Sequence, residues 1–166
     1  MNPTLRRSAG VRHAGGILLS AVLLAIYARV PQAWALGAVA LVPWLWALDG
    51  GRGLRGALLS GTAMAVAFVA AVLGWFGAAI AAYIDVGAVP ATAVLLALAP
   101  LLQPQLIAYA LARRMLARRH GAMLRALGAA AAWVACEAAL PKLFGDTLGH
   151  GLHGATLLRQ VRIPGQ

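Results

Sequence analysis

Apolar residues fill five stretches of the chain, and each stretch is closed by proline, glycine or charge. Runs this long and this poor in charge predict membrane-spanning helices rather than strands. The reading is an all-α, polytopic transmembrane helical bundle of about five helices, the first two short. The helices cover about 14–30, 33–48, 55–84, 88–114 and 123–140, with a basic segment 1–13 before them and a tail 141–166 after. The first stops at Pro31, whose ring cannot continue a helix. The second holds Pro43 inside it, with Trp44 and Trp46 near its end. Both are at the lower limit for ~30 Å of hydrocarbon and are expected to form a shallow or tilted hairpin.

Asp49-Gly50-Gly51-Arg52-Gly53 is a turn, and the third helix that follows is long enough to span with tilt. Two stripes of it, Gly56/Ser60/Met64 and Gly74/Ala78/Ala82, put mostly small residues at every fourth position, a spacing that lets helices approach closely in lipid. Asp85-Val86-Gly87 turns the chain into the fourth helix, which Pro100 and Pro104 interrupt. A proline frees a carbonyl one turn earlier, and the amides of Gln103 or Gln105 are one way to satisfy it. The fifth helix ends at Pro141, and no internal repeat is evident.

Charge orients this pattern. Arg6, Arg7 and Arg12 precede the first helix, Arg52 and Arg55 lie between the second and third, and Arg113, Arg114, Arg118, Arg119 and Arg125 lie between the fourth and fifth. The alternate turns carry only Arg29, and Asp85. Basic loops alternating with nearly uncharged ones place the N-terminus in the cytoplasm and the tail, with Lys142, Arg159 and Arg162, on the outer face.

A chain of 166 residues that is 62% hydrophobic and 11% charged is too apolar for a soluble domain. A net charge of +10 would suggest nucleic acid in a soluble protein. Here the basic residues are juxtamembrane, so membrane phospholipids are the expected counter-charge and no nucleic acid partner is expected. Thirteen Arg against one Lys, with abundant Ala and Gly, reads as coding bias. Residues 1–35 also have the form of a signal peptide, with Ile17 to Ile26 as its apolar core and Ala33-Trp34-Ala35 as its cleavage site. Four further apolar stretches favour an uncleaved first helix.

Candidate chemistry is sparse. Glu137 is the one carboxylate well inside an apolar stretch; a structural or positioning role near the outer end of the fifth helix is the preferred reading, direct chemistry the sharper one. Cys136, Glu137 and Lys142 hold the ingredients of acyl transfer, but adjacent helical positions differ by ~100° and Lys142 lies beyond Pro141, so Cys136 reads as a packed residue. A single cysteine also excludes an internal disulfide. His150 and His153 with Asp146 make a poor metal set on a glycine-rich segment, and neither metal nor cofactor is expected. Trp34, Trp44, Trp46, Trp75 and Trp133 mostly read as interface anchors or packing residues. Trp75, beside Phe76 in the outer half of the third helix, is a candidate lipid- or substrate-side or structural residue, as is Glu137. Asp85 reads as a turn cap. There is no phosphate loop, zinc motif or serine elbow.

The order of the pieces resembles the N-terminal membrane part of apolipoprotein N-acyltransferase, the last enzyme of bacterial lipoprotein maturation. The resemblance is carried by Val30-Pro31-Gln32-Ala33-Trp34, Leu41-Val42-Pro43-Trp44-Leu45, Arg55-Gly56-Ala57-Leu58-Leu59-Ser60-Gly61 reaching Gly74-Trp75, Asp85-Val86-Gly87-Ala88-Val89-Pro90, and Trp133-Val134-Ala135-Cys136-Glu137, over roughly 15–160. It implies a bacterial inner-membrane location and a two-step reaction in the full enzyme. A cysteine thiolate takes an acyl chain from phospholipid as a thioester and passes it to the α-amino group of a lipoprotein's N-terminal cysteine. The membrane helices would anchor the catalytic domain and admit lipid laterally, and lipoprotein substrates would be met through that domain. Where many relatives carry a Gly-Phe-Pro-Trp type segment after the fifth helix, this chain reads Leu143-Phe144-Gly145-Asp146-Thr147-Leu148-Gly149-His150-Gly151. The family's sixth helix and its nitrilase-like domain with a Glu-Lys-Cys triad have no counterpart here. No catalytic residue can therefore be placed, and a fragment inactive alone, from an interrupted or incomplete gene, is expected. The alternatives are a non-catalytic membrane scaffold or partner subunit and, with only Glu137, Gln103 and Gln105 as mid-membrane polar groups, a small transporter.

Overall fold

In the computed structural model, residues 3–50, 53–117 and 121–140 are described, with side chains from residue 10 onward. Lys142, Asp146, His150, His153 and the rest of the tail lie outside them, as do Arg52, Arg118 and Arg119. Six α-helices and one 3₁₀ segment account for nearly all of the described chain, which contains no strand.

Helix α1 spans Pro3–Arg29, so the basic N-terminal segment continues the first apolar helix instead of preceding it. Its last turn is closed by Arg29, whose Nη1 donates to the Ala25 carbonyl at 3.2 Å, a cation where helix carbonyls lack partners. Val30 is extended (φ −117°, ψ 100°), as a residue before proline prefers.

The expected second helix is a composite. A 3₁₀ segment covers Pro31–Ala38, a turn follows, and α2 covers Val42–Asp49. Pro43 does not kink the helix; it stands in the first turn of α2, where a missing N–H costs nothing. The 3₁₀ segment is itself kinked at Ala33 (φ −88°, ψ 19°), and the eight residues of α2 rise about 12 Å.

Helix α3, Gly53–Ile84, is 32 residues long, about 48 Å, well beyond that thickness. It ends in a left-handed cap: Asp85 has φ +53°, and the Val86 N–H donates back to the Ala81 carbonyl at 3.1 Å. The predicted fourth helix is α4, Ala88–Leu102, and α5, Pro104–Leu116, bent by 45°. Pro100 is absorbed inside α4, and the break falls at Gln103 (φ −129°, ψ 52°), the residue before Pro104. The two amides contact each other, Gln105 Nε2 donating to Gln103 Oε1. Helix α6, Ala122–Ala139, closes the bundle. Four elements are long and apolar enough to cross a membrane, or five when the bent α4–α5 pair counts as one span.

Helix α3 is the centre, packed on α1, α4 and α5, while α6 packs on α5 and α1 packs on the 3₁₀ segment and α2. The buried side of α3 runs through Ala57, Gly61, Ala65 and Val69 and, about two turns on, Gly77 and Ala81. Of the first expected stripe, Ser60 and Met64 are buried and Gly56 is exposed. The second stripe misses the seam by one position: Gly74 has open space around it, and Ala78 and Ala82 are exposed, while Gly77 and Ala81 make the contact. At Gly61 a Cβ would stand 2.8 Å from the Ile107 Cα and 3.1 Å from the Leu106 carbonyl, so α3 and α5 meet backbone to backbone. Gly77 lies equally close to Thr92 of α4. Leu18, Leu59, Leu101 and Val134 face outward from the bundle, a surface suited to lipid and not to water.

Candidate functional site

The short second span builds the most organised part of the molecule. An eight-residue helix begins mid-bundle at Val42, so its first N–H groups need partners that water cannot supply in lipid. Ser20 of α1 supplies one, its hydroxyl accepting from the Trp44 N–H at 3.0 Å. Ser60 of α3 accepts from the Trp44 indole Nε1 at 2.9 Å. Trp44 is wholly buried, and these two serines are the buried polar residues of the described core. One tryptophan thereby ties α1, α2 and α3 together through its backbone and its ring.

The other face of Trp44 looks toward α5 and α6. Its ring lies 6.1 Å from that of Tyr109, tilted by 42°, and Tyr109 meets Trp133 edge-to-face at 6.2 Å. Beside this aromatic row is a cavity of about 180 Å³, lined by Gly37, Ala38, Leu41, Val42, Trp44, Leu45, Tyr109 and Trp133. No lining side chain is charged. An apolar cavity of ~150 Å³ can admit benzene, so this one has room for a slender apolar group such as part of an alkyl chain.

One end of the same seam is closed by charge. Asp49, the last residue of α2, accepts from Arg113 of α5 through both oxygens, Nε to Oδ1 at 2.9 Å and Nη2 to Oδ2 at 2.7 Å. Arg125 of α6 brings Nη2 to 3.5 Å from the same Oδ2. His13 Nδ1 lies 3.3 Å from the Ala47 carbonyl and links α1 to the end of α2. Sequence reasoning took Asp49 as a turn residue and missed this cluster. The available signal was an acidic residue at an end of the bundle otherwise populated by arginine.

Of the candidates read from sequence, Trp75 is 63% exposed on α3 and touches Phe76 edge-to-face at 5.6 Å. Glu137 is half-buried on α6. Their helices share no main packing seam, since α6 packs on α5, so they do not form one site. Cys136 is a half-buried free thiol, and no group of three or more metal-ligating side chains occurs among the described residues.

A bundle of apolar, lipid-facing helices around a discontinuous second span, with an apolar cavity where that span breaks, defines a polytopic membrane protein equipped to meet lipid. Residues 20–165 match the family model of the apolipoprotein N-acyltransferase N-terminal domain, and the chain belongs to that family. No curated protein and no solved structure matches it.

Proposed function

We propose that this chain is the membrane-anchoring and lipid-access part of an apolipoprotein N-acyltransferase, which moves an acyl chain from phospholipid to the N-terminal cysteine amine of lipoproteins. The family match over residues 20–165 carries the reading. The apolar cavity beside Trp44, Tyr109 and Trp133 supports it, because a protein that handles phospholipid acyl chains needs a lateral apolar recess. The protein sits in the bacterial inner membrane with the Asp49 end cytoplasmic, as the placement of its arginines favours.

The residues of this chain do not by themselves supply the chemistry. The thioester step needs an activated thiolate next to a base. Cys136 lies within α6, one position before Glu137, and the two side chains diverge by ~100° around the helix. Purified chain in vesicles, given phospholipid and a diacylated lipopeptide, is expected to yield no triacylated product by mass spectrometry. A phospholipid with a photoreactive acyl chain is expected to label peptides containing Leu41–Leu45 or Trp133. Turnover that disappears in Cys136→Ala would sink the division of labour, and labelling spread evenly over the bundle would sink the access role.

A further inference from the structure

The end of the bundle made by the starts of α1, α3 and α6 and the ends of α2 and α5 carries Arg12, Arg55, Arg113, Arg114 and Arg125. Among the described residues it holds a single carboxylate, Asp49. Arg113 engages both oxygens of that carboxylate. Arg125 is left at 3.5 Å, beyond a good hydrogen bond, and its Nε is buried without an acceptor among the described residues. A buried guanidinium N–H is costly to leave unpaired, and more so in a region whose charge is already positive. The Nε itself is closed off, but a quarter of the Arg125 side chain is exposed. An anionic oxygen at that exposed part of the guanidinium would offset the buried charge. The planar donor fork of arginine matches phosphate, and phosphate is the anion present at the headgroup level where a span ends.

We propose that Arg125, with Arg113 beside it, holds a phosphate oxygen of an anionic phospholipid headgroup, so that Asp49 is at once a clamp between helices and one wall of a lipid-phosphate site. The proposal does not depend on the acyl-transfer reading. Asp49 also competes with the lipid: it occupies Arg113, so removing its charge frees a second fork for the headgroup. A clamp with no lipid role would show the opposite.

The test uses the full chain in micelles and native mass spectrometry, with phosphatidylglycerol, phosphatidylcholine or inorganic phosphate added separately. Phosphatidylglycerol is expected to be retained over phosphatidylcholine. Arg125→Gln should lower that retention about fivefold, the scale of one basic residue at a lipid surface, and Arg29→Gln at the opposite end should leave it unchanged. Asp49→Asn should raise retention even as it lowers the melting temperature. Arg125→Lys, which keeps the charge without the fork, should fall between wild type and Arg125→Gln and guards against a variant that fails to fold. Stabilisation by inorganic phosphate in phosphatidylcholine micelles, lost in Arg125→Gln, would assign the same oxyanion site to free phosphate. Equal phosphatidylglycerol retention in wild type and Arg125→Gln, or a fall in Asp49→Asn, would overturn the proposal and leave water as the acceptor.

Discussion

The two sides of α2 are built on different principles. Toward α1 and α3 it is sealed: Trp44 and Ala40 have no exposed surface, and both polar groups of Trp44 end on buried serines. Toward α5 and α6 it is loose, with a cavity in the middle, tilted and edge-to-face aromatics along it and an ion cluster at one end. In lipid no hydrophobic effect drives helices together, so cohesion has to come from packing and interhelical hydrogen bonds. The sealed side has both. The open side is held by ring contacts and by a carboxylate whose partners are partly exposed, and exposed ion pairs contribute little. The second span therefore belongs mechanically to α1 and α3, and its looser contact with α5 and α6 is where the proposed lipid access would lie.

The largest expected effect lies at the hub of the sealed side. Trp44→Ala removes a wholly buried ring and leaves Ser60 without its indole donor, while the backbone bond to Ser20 stays, a change worth ~3–5 kcal/mol of stability. Trp46, two residues along and 77% exposed, supplies the control, with an expected loss below ~1 kcal/mol. Thermal unfolding of both variants in detergent measures the difference. Similar melting temperatures for the two would mean that α2 is not anchored where the geometry places it.

The next effect isolates the polar part of that anchor. Ser60→Ala leaves the Trp44 Nε1–H buried without an acceptor, at an expected cost of ~1–3 kcal/mol. The cost should mostly vanish in a Trp44→Phe background, where no donor remains. A double-mutant cycle with zero coupling would show that the serine packs without bonding.

Much of this architecture was legible in the chain. The helical, membrane-type architecture, the end of the first helix at Pro31 and the family follow from apolar runs, prolines and ordered weak motifs. What escaped reading depends on partners remote in sequence. Ser20 and Ser60 look like ordinary small residues until Trp44 is placed between them, 24 and 16 positions away. Asp49 meets Arg113 across 64 residues. The seam of α3 was read one position off because Gly74/Ala78/Ala82 and Gly77/Ala81 satisfy the same spacing rule, and only the neighbours α4 and α5 select between them. Pro43 gives no sign in itself whether it kinks a helix or begins one.

The smallest effect separates the two sides most cleanly, because it applies one kind of change two residues apart. Ala40 is fully buried at the turn before α2, whereas Ala38 is exposed and lines the cavity. Ala40→Leu must displace close-packed neighbours, and overpacking of that kind costs ~1–3 kcal/mol. Ala38→Leu points into available space, so its expected effect on stability is within about 0.5 kcal/mol of zero. It should nonetheless reduce labelling of the Leu41–Leu45 peptide by a photoreactive phospholipid, since the added side chain occupies room the acyl chain would take. Melting temperature and labelling yield thus move independently: Ala40→Leu lowers the first, and Ala38→Leu lowers the second alone. If Ala38→Leu unfolds the chain as readily as Ala40→Leu, the second span is sealed on both sides and lipid must reach the protein elsewhere.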